Sequence, residues 1–135
     1  MKFTQTDYFS TKTILKFPDH YVGVAVTVDD TDIAANADGK KIVPAGTIAG
    51  GIGGSVLADN TRMVQEKNSA GAIGVDNAAV DAEGVLLSSV DVTYGPAAGT
   101  IIVHGFIDKS KLPTAPHANA ITALKGSVFF MGGNV

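Results

Sequence analysis

Alternation of apolar and polar positions is clearest between residues 84 and 108. Two β-branched runs, GVLLSSVDVTY and GTIIVHGFID, are separated there by glycine, proline and alanine in the segment GPAAG. Alternation with a period of two is typical of strands, and such a short connection suits a hairpin loop. The pattern therefore predicts a central β-hairpin whose second strand places Ile102, His104 and Phe106 on one face, opposite Ile101, Val103, Gly105 and Ile107.

Further strands and one helix are predicted around this hairpin. YVGVAVTV at 21–28 is β-branched and predicts a strand, and SVFFM near the carboxyl end predicts another. HANAITALKG at 117–126 predicts one short helix that carries Ala118, Ile121 and Leu124 on one face and ends at Gly126. Residues 55–83 support no firm assignment, so the expected fold is mainly β with one short helix.

The first twenty residues differ in composition from the rest of the chain. Large apolar side chains are scattered through a background rich in threonine and lysine, with no strict period of 2 or 3.6. We expect an extended N-terminal arm at 1–20, contributing to docking and little to the core, before a single β-rich domain at 21–135. An ordinary edge strand with a loop is an equal alternative. The candidate contact residues are Phe3, Tyr8, Phe9, Leu15 and Phe17.

Composition narrows the function classes. The chain has 135 residues, enough for one domain with a single core, and no cysteine, which excludes disulfides and thiolate metal sites. Only 17% of residues are charged against about a quarter in typical soluble domains, which indicates apolar surface that faces a partner and favours a homo-oligomer. A net charge of −3 is unlike a nucleic-acid interface, and no apolar run is long enough to cross a membrane.

No motif predicts a metal or cofactor. The glycines at 50, 51, 53 and 54 lack the third glycine of a dinucleotide motif, since Val56 stands there, and are interpreted as a flexible loop or close backbone packing. The acidic segment DDTDIAANADG fails the EF-hand pattern at both ends and is expected to be a solvated loop. The three histidines lack metal-site spacing, and we expect His104 to be structural or interfacial. Asp91 and Asp108 are expected to cap turns at strand ends.

One short motif raises an enzymatic alternative. GFID at 105–108 resembles the Gly-x-Ile-Asp motif of the trimeric dUTPases, whose architecture is a β-clip. That family's motif continues with a tyrosine where this chain has Lys111. Its glycine-rich carboxy-terminal motif contains arginine, whereas the only arginine here is Arg62. An enzyme of this kind is therefore the third alternative, and the chain is predicted not to be an enzyme.

A broader resemblance spans residues 40–130. The segment VPAGTI, then EGVLLSSVDVTYGPAAGTIIVHGFIDKSKL, then a short helix with ALKGSVFF resemble in order the head decoration proteins of tailed bacteriophages, the family of the lambda capsid-stabilising protein. The resemblance implies a compact β-clip-like fold, a homotrimer made in the host cytoplasm, and docking on the outer capsid surface of the virion. Its implied partner is the major capsid protein, contacted by the arm. A virion surface module that binds a host glycan or receptor remains the second alternative.

Overall fold

The computed structural model describes residues 14–132, and its longest element is the strand β7 (Ala97–Asp108). The chain is mainly β, with a single short α-helix among these residues, as predicted. In chain order the other elements are β1 (Tyr21–Val28), β2 (Ile42–Val43), β3 (Ile48–Gly51), β4 (Met63–Glu66), β5 (Gly84–Leu86), β6 (Val90–Asp91), the helix α1 (Ala118–Ala123) and β8 (Val128–Met131).

Five of the strands close into a ring. β1 pairs with β7 and also with β4, and the series continues from β4 to β3, from β3 to β5, and from β5 back to β7. β8 extends this sheet beyond the ring by pairing in parallel with the end of β7, whereas β2 and β6 form a separate two-stranded sheet. Closure pairs backbone groups that an open sheet would leave at its edges.

Apolar side chains pack on both sides of the ring. Each of the five strands contributes to an inner cluster, which includes Val26, Val28, Ala49, Val64, Leu86 and Ile101. α1, β8 and a 3-10 turn at Ala79–Asp81 cover an outer cluster, which includes Ile48, Val85, Ile102, Ile107, Ala120, Leu124 and Val128. The strands of the ring are therefore buried on both faces over part of their length, which stabilises them by removing apolar area from water.

A β-bulge in β7 changes which of its side chains share a face. The register against β1 passes from His104, opposite Val22, directly to Ile102, opposite Gly23. Ile102 packs in the outer cluster, whereas His104 and Phe106 contact other aromatic rings. The predicted common face of Ile102, His104 and Phe106 is therefore wrong, because a bulge inserts one residue and strict alternation ends there.

The predicted hairpin is confirmed only in the antiparallel pairing of its two runs, and residues 97–99 of its predicted loop belong to β7 instead. β5 and β7 pair antiparallel, with Val85 opposite Ile102, but the first run breaks after β5. Its continuation, β6, pairs with β2 instead. Ser89 explains part of this break. Its hydroxyl accepts a hydrogen bond from Ala45 N at 3.0 Å, which holds the chain between β5 and β6 beside the segment that follows β2.

Two other predicted elements are observed close to their expected positions. β1 covers residues 21–28, and α1 lies within the predicted 117–126, with Gly126 after its end at a φ of 86°. The buried face of α1 differs in detail, because Ala120 and Leu124 are buried while Ile121 is 41% exposed.

The end of the predicted arm belongs to the domain. Ile14 and Leu15 are buried, at 2% and 6% exposed, and Leu15 forms an antiparallel bridge with Ile107. Lys16 N donates to Phe106 O at 2.8 Å, which extends the pairing along the same strand. This differs from the expectation that residues 1–17 contribute little to the core, because backbone pairing with β7 places both apolar side chains against the outer cluster.

We therefore expect Leu15→Ala to lower the free energy of unfolding by about 2–4 kcal/mol, since it removes buried methyl groups and leaves a cavity. Denaturant unfolding followed by circular dichroism measures this loss. Ile121→Ala is the matched control, because that side chain is 41% exposed, and it should change stability by less than about 1 kcal/mol. Equal losses in the two variants would contradict the placement of Leu15.

Candidate binding surface

The predicted contact residues have different locations. Phe3, Tyr8 and Phe9 lie outside the described residues. Leu15 packs in the core of its own domain, where its side chain is not available to a partner, whereas Phe17 is 46% exposed. Phe17 is thus the predicted contact residue that the described structure places at the surface.

Phe17 belongs to a cluster of aromatic rings around Phe106. The Phe17 ring meets the Phe106 ring edge-on with centroids 5.2 Å apart, and the Phe129 ring stacks on Phe106 at 5.1 Å. His20 lies 5.7 Å from Phe106 and 5.4 Å from His104, again between centroids. We call these five side chains, Phe17, His20, His104, Phe106 and Phe129, the aromatic surface.

Backbone pairing assembles the aromatic surface from three parts of the chain. The parallel register of β7 and β8 sets Phe106 directly beside Phe129. The bridge between Leu15 and Ile107 holds the segment that carries Phe17 against the same strand. Sequence analysis missed Phe129 as a contact residue, because no local pattern indicates that β8 pairs in parallel with β7.

The aromatic surface is left partly uncovered. Phe17 and Phe129 are 46% and 41% exposed, and the neighbouring Tyr21 and Val22 are 42% and 52% exposed. Isolated exposed apolar residues are normal, but contiguous apolar patches mark interaction sites, and aromatic residues are enriched in them. The geometry can therefore bury several aromatic rings at once against a partner.

The histidine pair was not predicted from spacing. His20 and His104 are distant in sequence, and the antiparallel register that sets Tyr21 opposite Gly105 brings them together. Within residues 14–132, no group of three or more His, Cys, Asp or Glu side chains could hold a metal ion. The His104 ring packs against the His20 ring, within the aromatic surface.

The glycine-rich segment encloses a carboxylate of its own chain. Glu83 accepts hydrogen bonds from the backbone N–H groups of Gly51, Val56 and Leu57 at 2.9, 3.0 and 3.1 Å, and from the Ser55 hydroxyl at 2.8 Å. Burial acts to raise the pKa of Glu83, but these hydrogen bonds outweigh it and hold the pKa below its ordinary value. The donors that a phosphate would need are therefore already in use.

Close backbone packing explains two of these glycines. A Cβ on Gly51 would lie 2.1 Å from Gly54 O, and one on Gly50 would lie 2.3 Å from Asp81 O. Both distances are too short for real atoms, so a larger residue would force the backbone apart. The close-packing interpretation of the glycine run is confirmed at these positions.

The two strand-end aspartates cap turns, as predicted. Asp91 accepts hydrogen bonds from both the backbone N–H and the hydroxyl of Thr93. Asp108 accepts from Ser110 N at 3.0 Å and from its hydroxyl at 2.7 Å. In each case the hydrogen bond from the neighbouring hydroxyl is the largest cause that lowers the pKa of the aspartate.

No family model, curated protein or solved structure matches the chain. Within the part of the chain that the structure describes, no helix has both the length and the apolar character needed to cross a membrane.

We expect Glu83→Gln to lower the free energy of unfolding by about 1.5–3 kcal/mol, because an amide accepts less strongly and turns its own N–H₂ toward backbone donors. Thermal and denaturant unfolding measure the change. The matched control is Glu66→Gln, an exposed glutamate whose variant should be close to wild type. A similar loss in both variants would contradict a specific role for Glu83.

The same carboxylate predicts a pH dependence. Its pKa in the folded protein lies below the ordinary value of 4.5, so the stabilisation is complete above pH 4.5 and is lost as the pH falls through the folded pKa. Unfolding curves recorded between neutral pH and about pH 3 should show a smaller acid-induced loss in Glu83→Gln than in wild type. An identical pH dependence of the two proteins would contradict this assignment.

Proposed function

We propose that the protein is a capsid decoration protein of a tailed bacteriophage, which binds the outer surface of the head as a homotrimer and stabilises the shell. The observation that carries this proposal is the aromatic surface, with two of its rings more than 40% exposed. The mainly β fold, with a short helix before its last strand, is compatible with the implied family. The proposed role is structural, with the major capsid protein as partner.

The position of the aromatic surface supports docking together with the N-terminal segment. Phe17 lies only three residues after Ile14, where the described chain begins beside β7. The preceding segment carries Phe3, Tyr8 and Phe9. A partner that covers the aromatic surface would therefore be within reach of these further aromatic side chains.

Stabilisation of a shell follows from mass action. A protein that binds assembled capsid subunits, and not dissociated ones, adds its binding free energy to the assembled state. Burial of apolar area contributes about 25 cal/mol per Å² before the entropic cost of ordering is subtracted. Contacts from several protomers of one trimer act together, so modest contacts at each protomer are sufficient.

A virion surface module that binds a host glycan is the second candidate function. The observation that favours it is a cavity at one mouth of the ring, lined by Asp29 and Gln65. It is distinct from the aromatic surface, since no residue of that surface lines it.

We expect size-exclusion chromatography coupled to light scattering to give three times the chain mass of 13.8 kDa. The physical reason is the uncovered apolar surface together with the low charged fraction. A monomer that persists at about 50 µM, well above the concentration at which specific assemblies form, would contradict the trimer.

We expect the double variant Phe17→Ser, Phe129→Ser to bind undecorated phage heads at least about tenfold more weakly than wild type, because it removes two exposed rings from the docking surface. Co-sedimentation of purified protein with heads measures the binding. Tyr94→Ser is the matched control, since Tyr94 is 92% exposed and contacts none of these rings.

An arm deletion tests the contribution of the N-terminal segment separately. It should remove residues 1–13 and keep Ile14 and Leu15, because those two residues are part of the core. Wild-type affinity in both the double variant and the deletion variant would contradict docking through this side of the molecule.

A further inference from the structure

A cavity of about 160 Å³ lies at one mouth of the ring, where β1 and β4 end. Val28, Val64 and Leu86 of the inner cluster form an apolar part of its lining, and Asp29 and Gln65 contribute polar groups. A single buried water needs only about 10–15 Å³ measured in this way. The cavity therefore has room for a small molecule, and mouths of β-barrels are common ligand sites.

Asp29 is a buried carboxylate with few partners. It is only 9% exposed, and within residues 14–132 its carboxylate accepts one hydrogen bond, from Thr31 N at a long 3.3 Å. Neither of the ion pairs found in that part of the chain involves Asp29. Buried carboxylates are normally paired or well hydrogen-bonded, so Asp29 retains capacity to accept hydrogen bonds from a ligand. Sequence analysis treated this aspartate as part of a solvated loop.

Gln65 carries a hydrogen-bond donor that lacks an acceptor within residues 14–132. Its side-chain Nε2 is buried and has no hydrogen-bond partner among the described residues. Asp29 N donates to Val64 O at 3.0 Å, which continues the parallel register of β1 and β4 and places Asp29 beside Gln65 on the neighbouring strand. Asp29 and Gln65 thus line one cavity and carry an acceptor and a donor that are incompletely satisfied among the described residues. Because water does not reach Gln65 Nε2, the Gln65 amide must turn toward the cavity to meet a ligand.

We propose that this cavity, the mouth cavity, binds a neutral sugar ring. A hydroxyl group donates one hydrogen bond and accepts others, so neighbouring sugar hydroxyls can donate to Asp29 and accept from Gln65 Nε2. The C–H groups of the ring can pack against the apolar lining. The volume of about 160 Å³ is sufficient for a single ring, free or at the end of a glycan.

Charged ligands match the mouth cavity less well. An ammonium group is attracted by Asp29 and by the other lining carboxylates, Asp32 and Glu66, but it offers no acceptor to Gln65 Nε2. A carboxylate or phosphate can accept from Gln65, but its charge is repelled by Asp29. A hydroxylated neutral ligand satisfies both side chains without adding a buried charge. The site does not depend on capsid binding, and each can be present without the other.

The test is a titration of the full chain, without phage heads, followed by ¹H–¹⁵N correlation spectra. The probes are glucose, galactose, mannose and N-acetylglucosamine, with methylammonium and acetate as charged probes. We expect at least one sugar to shift the backbone amides of Asp29, Thr47 and Gln65 saturably, with a dissociation constant of about 1–10 mM.

Variants locate the binding. Gln65→Leu and Asp29→Ala should each weaken sugar binding at least about tenfold, because each removes one of the two polar partners. Asp19→Ala is the matched control, since it removes an exposed carboxylate outside the cavity and should bind as wild type does. The same spectra report whether each variant is folded, and Gln65→Leu decides the question if Asp29→Ala does not fold.

Three results would overturn the proposal. The first is no saturable shift with any sugar up to about 50 mM, which would mean that the cavity holds water only. The second is saturable shifts at these amides with methylammonium or acetate and with no sugar. The third is unchanged sugar affinity in a folded Gln65→Leu protein, which would place the binding elsewhere. None of these results bears on co-sedimentation with phage heads.

Discussion

Pairing on both edges of β7 is the constraint on which the rest of the structure depends. One edge pairs with β1 and then, through the bridge of Leu15 to Ile107, with the segment before β1. The other edge pairs with β5 and then with β8. This one strand therefore closes the ring, holds the end of the N-terminal segment and positions the last strand. Loss of its backbone hydrogen bonds would disconnect all of these elements together.

The bulge in β7 divides the strand into two parts with different roles. Before it, Ile101 and Ile102 pack in the inner and outer clusters and contribute to stability. After it, Phe106 meets the rings of Phe17 and Phe129 at the surface, while Ile107 remains buried. The irregularity that ends strict alternation is thus also the feature that directs aromatic side chains outward. Bulges commonly redirect side chains in this way.

Some side chains of the protein have all their contacts within the chain, whereas others are left partly without contacts. Glu83 receives four hydrogen bonds from the glycine-rich segment, so this turn is closed by its own chain. The exposed rings of the aromatic surface and the polar lining of the mouth cavity differ from it, because neither is completed within the described residues. These two places are where the physical argument for a partner and for a small ligand is strongest, and they are independent of each other.

Local chemistry explains what could be predicted from the sequence. The β-branched run at 21–28 formed a strand, and the glycine at position 126 follows the end of the short helix, where its positive φ costs little. Asp91 and Asp108 cap turns through neighbours only two residues away. Each of these outcomes depends on residues close in sequence, so composition and spacing carried enough information.

The candidate sites depend instead on residues distant in sequence. Phe17, Phe106 and Phe129 meet only because one strand pairs with two separate segments, and Asp29 is buried beside Gln65 only because β1 and β4 are parallel neighbours. The sequence by itself determined a mainly β chain and its local turns, because hydrophobic periodicity and capping act over a few residues. Tertiary structure alone decided which side chains became neighbours, because strand order, register and a single bulge arise from packing of the whole chain.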